Sequence, residues 1–333
     1  MFDPRAGRLT TRREPPAPLP PSRRARTCSW WGDPWSGPRT PVWWPACSSG
    51  RSKRALPVDR RETGRGRGRR SGAGDEPVLL TGIHSVLEAL RARRRKLLRL
   101  TVQPGSASEA VLEAARGAGV PVQEMPSGAS ASDPAEPRNQ GLKLEVGPLP
   151  QTTLEELIAG ASDRPGLIVA LDGVEDPQNV GSIARVADAA GAQGLLLTER
   201  RAPPLGAAVS RASAGAIEWL PVARVPNLGR ALNTLKEKGF WVFGCDPEEG
   251  EDLFSLPDRV VAGHRVVVLG AEGVGLRPGT QKRVDHRVRI PMGGRVASLN
   301  VASAASVVLF ELQRRAHLAR ESASGSLHQE PAE

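Results

Sequence analysis

The chain has 333 residues, room for about two domains of ordinary size, and 39% of them are hydrophobic, enough for a globular core. Its three cysteines (Cys28, Cys47, Cys245) stand far apart without a CxxC pair, which argues against a disulfide framework or a zinc site and for a reducing, cytoplasmic setting. No apolar run approaches the roughly 18–20 residues a membrane span needs, so no membrane partner is expected. The net charge of +10 suggests nucleic acid, but residues 1–74 alone hold 17 of the 46 Lys and Arg against five acidic side chains. The other 259 residues carry 29 basic and 31 acidic groups, so the excess charge does not describe the folded body.

Residues 1–76 read as a disordered extension, rich in Pro, Arg, Ser and Gly, with a GRGRGRR run at 64–70 and no apolar period. Five of the seven tryptophans lie in it, and Trp beside Arg is suited to stacking on unpaired bases, although a leader without function is the plainer reading. Order is expected from Val78. Ile83, Val86, Leu87 and Leu90 have helical spacing, and the basic stretch Arg91–Lys96 follows them. A strand at Leu97–Val102, a helix at Ser108–Ala118 and a strand at Val120–Met125 complete a small α/β module spanning 77–147, with Pro126–Pro137 as an internal loop. A connector covers 148–165.

From Gly166 the signals alternate. Strands are expected at Leu167–Leu171, Gly194–Thr198, Glu218–Val222, Phe240–Phe243, Arg265–Leu269 and Arg287–Ile290. Helices are expected at Val180–Ala190, Leu205–Ala214, Leu228–Lys238 and Leu299–Arg315, ahead of a flexible tail at 319–333. The strands are short and rich in Val, Leu and Ile without strict alternation, which is the pattern of a parallel sheet covered on both faces. The fold class is α/β, with a second domain over 166–318.

Ligands of open parallel sheets bind beyond the carboxyl ends of the strands, and three polar, glycine-bearing segments follow strands here. In Asp172–Arg185, Asp176–Pro177 sets a turn and Asn179 is a suitable helix cap. Arg185, almost two turns into that helix, reads equally well as an anion ligand or a surface cation. In Gly270–Leu276 the glycines let backbone approach a ligand, and Glu272 is placed to accept from a hydroxyl, an amine or Arg185. A Rossmann dinucleotide site fits poorly, because its GxGxxG follows the first strand, whereas these glycines come late and in the order GxxGxG. In Pro291–Asn300 the pair Gly293–Gly294 calls for a flexible, tight loop, and Ser298 and Asn300 stand at the start of a helix that is apolar nearly all round. A helix cap accounts for one of those two polar residues but not for both.

In this order the segments resemble the three signature motifs of the SpoU family of RNA ribose 2′-O-methyltransferases, within the SPOUT superfamily. Asn179-Val-Gly-Ser-Ile-Ala-Arg185 is similar to the first, Leu269-Gly-Ala-Glu272-Gly-Val-Gly-Leu276 to the second, and Ile290-Pro-Met-Gly-Gly-Arg-Val-Ala-Ser298-Leu-Asn300 to the third. Gly82–Leu90, Asn139-Gln-Gly141 and Ala216–Pro226 resemble the branch that methylates guanosine in large-subunit (23S) rRNA. The resemblance implies a C-terminal trefoil knot, contrary to the general avoidance of threading. It implies an RNA-binding N-terminal module and a homodimer whose active site draws on both subunits. It further implies S-adenosylmethionine as methyl donor, held by Gly270, Ile290, Met292 and Leu299, with no metal. Asn179, Arg185, Glu272, Ser298 and Asn300 then form the catalytic set, with Arg185 as base or as the cation that holds the target phosphate. Three other readings remain: a tRNA ribose methyltransferase, a non-catalytic RNA-binding assembly factor, and a nicotinamide-dependent oxidoreductase.

Overall fold

The computed structural model describes residues 77–125, 141–161 and 165–325. The expected N-terminal extension, the Pro126–Pro137 loop, Asn139 and Gln140 fall outside the described residues.

The first sheet has four strands in the order β1-β4-β2-β3: β1 (Val78–Thr81), β2 (Leu97–Val102), β3 (Val122–Glu124) and β4 (Leu142–Val146). β4 runs antiparallel to both β1 and β2, and β3 parallel to β2. Helices α1 (Ile83–Ala92) and α2 (Glu109–Gly117) pack against this sheet. Val86, Leu87 and Leu90 of α1 are fully buried with Leu80, Leu100 and Leu144 of the strands. Helical spacing therefore does place one face of α1 in the core. The helix ends where Arg93 turns into the left-handed region at φ 51°.

The expected connector holds structure of its own. Thr153 and Glu156 form a reciprocal capping box, each side chain bonded to the other's backbone N–H, and start α3 (Leu154–Ala159). The Thr152 N–H also donates to Val222, which covers one edge of the second sheet.

That sheet has seven strands, all parallel: β5 (Leu167–Asp172), β6 (Gly194–Thr198), β7 (Val222–Val225), β8 (Phe240–Cys245), β9 (Glu251–Asp252), β10 (His264–Gly270) and β11 (His286–Arg289). Their order is β7-β6-β5-β10-β8-β11-β9. Every residue of β5 is buried, because its two faces feed two cores. Leu167, Val169 and Leu171 point into one, and Ile168 and Ala170 into the other. The first core is closed by α4 (Pro177–Ala189), and by α7 (Asp258–Ala262) and α9 (Val301–Gly325). The second is closed by α3 and by α6 (Leu228–Glu237). α5 (Ala207–Ala212) crosses α4 so closely that a Cβ on Gly181 would lie 2.4 Å from the Ala212 methyl. The short α8 (Pro278–Gln281) precedes β11. β11 lies between β8 and β9, so the 246–250 connection spans it. Such interleaving departs from the usual rule for chain paths.

Two expectations change. The strand expected at Glu218–Val222 is a 3-10 turn, Ala216–Glu218, followed by β7. Ala214 and Gly215 both have positive φ (51° and 85°), which breaks the extended path, and Glu218 is turned inward. The last helix continues past Arg315 to Gly325, into the stretch expected to be a flexible tail, and 326–333 lie outside the described residues.

Glu218 joins the two sheets' domains. Its carboxylate takes two bonds from Arg95, 2.7 Å from Nε and 3.0 Å from the second terminal nitrogen, and both side chains are only 1% exposed. Ser210 Oγ adds a third bond at 3.0 Å, and Arg95 also reaches the carbonyls of Gly147 and Leu205. Arg94 donates to the Glu218 and Leu220 carbonyls, and Trp219 Nε1 to Glu88. Within the basic stretch Arg91–Lys96, Arg94 and Arg95 are thus bound into the protein rather than offered to RNA. Glu218→Ala would strand the buried Arg95 charge and is expected to cost about 3–5 kcal/mol in stability, measured by urea unfolding, whereas an exposed control such as Glu237→Ala stays within about 0.5 kcal/mol.

Candidate active site

Because the sheet is parallel, the segments after β5, β6, β10 and β11 emerge on one rim. At the end of β5, Asp172 is 2% exposed and accepts from the Arg277 backbone N–H at 2.9 Å. Gly173 follows at φ 80°, and a Cβ there would come within 2.4 Å of the Arg277 guanidinium. Asp176 then caps α4, accepting from the backbone N–H groups of Gln178 (3.1 Å) and Asn179 (3.3 Å), with Pro177 in the first turn. The cap expected at Asn179 thus belongs to Asp176. The Asn179 amide is left for other partners.

The segment after β10 is a tight turn closed by the Gly275 N–H donating to the Ala271 carbonyl at 2.9 Å. Gly273 and Gly275 take φ of 76° and 65°, which suits only glycine. A Cβ on Gly270 would stand 2.3 Å from the Gly275 carbonyl carbon, so the turn closes only over a bare backbone. At its tip is Glu272.

Pro291–Asn300 follows β11 without regular structure and is exposed throughout. Gly293 and Gly294 have no neighbour within 4 Å of a built Cβ and no positive φ, so this is an open segment rather than the expected tight loop. Among the described residues, no backbone group from Pro291 to Leu299 makes a backbone–backbone hydrogen bond.

The three segments meet at Glu272 Oε1. It accepts from Asn179 Nδ2 and from Asn300 Nδ2, each at 3.0 Å. Asn300 Nδ2 also lies 3.0 Å from Asn179 Oδ1, while Asn300 Oδ1 accepts from the Ala302 N–H at 2.9 Å at the start of α9. Asn300 therefore caps α9 through its oxygen while its amide nitrogen joins the Glu272 cluster. The second Glu272 oxygen has no hydrogen bond among the described residues.

Arg185 is not part of this cluster. It is exposed, has no hydrogen bond or ion pair among the described residues, and does not meet Glu272. Six residues beyond Asn179, it stands about 9 Å along the helix axis and about 120° around it. Ser298 is exposed and unbonded, two residues before Asn300. Of the four expected cofactor residues, Gly270 ends β10, and Ile290 packs at the edge of the large core. Met292 and Leu299 are 38% and 40% exposed. Sequence reasoning missed Asp172 and Arg277. The only signal was an Asp-Gly pair at the end of a buried strand, which also reads as a plain turn.

Cys245 ends β8 near this rim, and burial together with Asp246 pushes its thiol up to about 12. It stays protonated at neutral pH and is no nucleophile. Among the described residues, no group of three His, Cys, Asp or Glu side chains could hold a metal, and no helix is long and apolar enough to cross a membrane.

The parallel α/β sheet carries its polar cluster on the carboxyl rim, and similarity to known proteins makes this a SPOUT-type fold. The profile described as the SpoU rRNA Methylase family matches residues 166–310, and one described as RNA 2′-O ribose methyltransferase substrate binding matches 79–151. The 23S rRNA (guanosine-2′-O-)-methyltransferase of Pseudomonas aeruginosa is 36% identical over 240 residues, 70% of this chain and 95% of that protein. YacO of Bacillus subtilis, named for the TrmH family of tRNA/rRNA methyltransferases, is 34% identical over 239 residues, 70% of this chain and 94% of its own. Among solved structures, the SpoU methyltransferase AviRb from Streptomyces viridochromogenes, in complex with the cofactor AdoMet, superposes with a TM-score of 0.60 at 26% identity, covering 73% of this chain and 91% of that one. The chain belongs to the SpoU family.

Gly270→Ala is expected to lower stability by about 1–3 kcal/mol by forcing the 271–275 turn open, read as a lowered melting temperature. An unchanged melting curve would show that the turn closes without that contact.

Proposed function

We propose that this protein transfers a methyl group from S-adenosylmethionine to a ribose 2′-hydroxyl of RNA. The observation that carries the reading is the meeting of Asn179, Glu272 and Asn300, from three separate segments, at one carboxylate oxygen. Residues 77–147 would hold the RNA, 148–165 connect, and 166–318 carry the chemistry.

The donor fits what the rim offers. Pro291–Leu299 has backbone donors and acceptors free of backbone partners, Met292 and Leu299 offer half-exposed apolar surface, and Gly270 keeps the neighbouring turn close. Gly270, Ile290, Met292 and Leu299 would hold it. When bound, S-adenosylmethionine supplies a methyl carbon already activated by its positive sulfur, so the residues need only align the ribose and handle one proton. The two asparagine amides hold Glu272 Oε1 and turn its other oxygen toward solvent, where it is placed to orient the ribose hydroxyl and take its proton. The RNA phosphate and water are the other acceptors. A guanidinium holds its proton far above neutral pH and is a poor base. Arg185 serves better as the cation that fixes the target phosphate and stabilises the developing alkoxide, with Ser298 helping to place the ribose.

Arg185 stands apart from the trio in one chain, which supports a homodimer in which one subunit's Arg185 faces its partner's Asn300 and Glu272. Exposed Phe310 and Leu318 on α9 offer apolar surface for such a contact. Arg185→Ala and Asn300→Ala should each abolish or strongly reduce methylation, with donor binding nearly intact for Arg185→Ala. In an equal mixture of the two inactive variants, about a quarter of the wild-type sites should reappear if sites are shared across a two-fold dimer. No recovery would mean that each site is built within one chain.

The substrate reading takes two forms. The Pseudomonas aeruginosa relative supports a guanosine in large-subunit rRNA, while the tRNA/rRNA name of the Bacillus subtilis relative supports tRNA on at least an equal footing. Mapping ribose methylation across rRNA and tRNA in a strain lacking this protein is expected to show one lost site. Full retention of every site would refute the catalytic reading and favour a non-catalytic RNA-binding factor.

A further inference from the structure

Away from the Glu272 cluster, a cavity of about 220 Å³ opens at the joint between the two domains. Its walls come from both: Val78 of β1 and the Pro148–Gln151 connector on one side, Pro204–Gly206 and Arg224 on the other. The walls are held in place by the buried pair described above, since Arg95 bonds at once to Glu218, to the Leu205 carbonyl and to the Gly147 carbonyl. The cavity therefore exists as a consequence of a fixed domain joint, not of a loose contact.

The lining is proline, leucine and valine with Gln151, Gly206 and a single cation, Arg224. Arg224 is half-buried and gives one bond, to the Pro203 carbonyl at 2.8 Å, and has no acidic partner among the described residues. Burial lowers its pKa, so the guanidinium has given up part of its hydration without gaining a counter-charge. Arg200 and Arg201 stand exposed on the same loop, likewise without ion pairs among the described residues, and Arg201 is held in the left-handed region at φ 63°. A mostly apolar wall beside a partly desolvated guanidinium without an acidic partner among the described residues matches the two halves of a nucleotide: a base for the prolines and leucines, a phosphate for the arginine. The loop carrying Pro204 and Leu205 leaves the carboxyl end of β6, and the connector wall runs into Thr152, which pairs parallel beside Ala223 of β7. Three strand spacings, roughly 14 Å, separate β7 from β10, a short stretch of single-stranded chain.

We infer that this joint pocket is a second RNA-contacting subsite, in which Arg224 binds a phosphate and the Pro148–Gln151 and Pro204–Leu205 walls receive the base of a nucleotide flanking the one methylated. The inference rests on the RNA reading above and adds a specificity-determining contact outside the shared motifs. Its position fixes how far the anchored nucleotide lies from the reacting ribose.

The test uses the full chain and transcribed rRNA and tRNA bearing 4-thiouridine. Photocross-links from bound RNA should map to peptides containing Pro148–Gln151 or Pro203–Gly206. Arg224→Gln should weaken RNA binding roughly tenfold and raise KM for RNA with kcat and S-adenosylmethionine affinity unchanged, and Arg224→Lys should recover part of the loss. Because Arg224 also braces Pro203, a second variant tests the pocket from its exposed side: Gln151→Glu adds a negative charge at the mouth and should weaken RNA binding in the same direction. Wild-type RNA affinity in both variants overturns the subsite. So does a loss confined to Arg224→Gln with no cross-links to either segment, which would assign that residue to bracing alone. If the unaltered protein methylates neither RNA, the proposed function fails. If it methylates one of them while both variants match it, only the pocket fails.

Discussion

One carboxylate oxygen holds the functional rim together. Glu272 Oε1 accepts from two asparagine amides 121 residues apart in the chain, and without it the segments after β5, β10 and β11 have no common point. Each partner is itself fixed. Asp176 takes over the capping of α4 and releases the Asn179 side chain, Gly270 lets the Glu272 turn close, and Asn300 is held through its own carbonyl-side oxygen by the Ala302 N–H. A hydrogen-bonded trio of this kind is rigid because each amide is oriented from both ends. That rigidity suits a reaction whose donor needs no activation and whose acceptor needs only alignment.

A second fixed point lies between the domains. The Arg95–Glu218 pair is almost wholly out of water, and such pairs rarely add net stability over an apolar contact of the same shape. What the pair does supply is direction. With Ser210 and two backbone carbonyls completing its bonds, Arg95 admits one arrangement of the RNA-binding module on the catalytic sheet. For an enzyme that methylates RNA, a fixed arrangement of its two domains is itself a source of specificity. The exposed, irregular Pro291–Leu299 segment stands in contrast: among the described residues its backbone groups lack backbone partners.

Much of this was legible in the order of residues. The buried, β-branched and leucine-rich strands of the second domain announced a parallel sheet covered on both faces, and β5 proves to be buried along its whole length. The glycines around Glu272 and the polar pair before the last helix marked the rim. The errors have local causes. β1 and β4 were not recognised as strands, being only four and five residues long. The capping box of α3 was present in the letters Thr-Thr-Leu-Glu-Glu but was passed over inside a proline-flanked connector. Glu218 was placed in a strand because its neighbours are apolar, and nothing nearby in the chain reveals that its partner is 123 residues away.

The sequence by itself determined the fold class, the rim and the chemical types gathered there, because hydrophobic period, glycine placement and capping residues act over a few neighbours. Only the tertiary structure decided which polar groups meet. It joined Asn179 and Asn300 to Glu272 while leaving Arg185 outside, and it made Arg94 and Arg95, from the basic stretch after the first helix, part of the joint between domains. The physical reason is that a hydrogen bond between distant residues depends on helix phase and strand register together, and neither is set by the local pattern that defines each element.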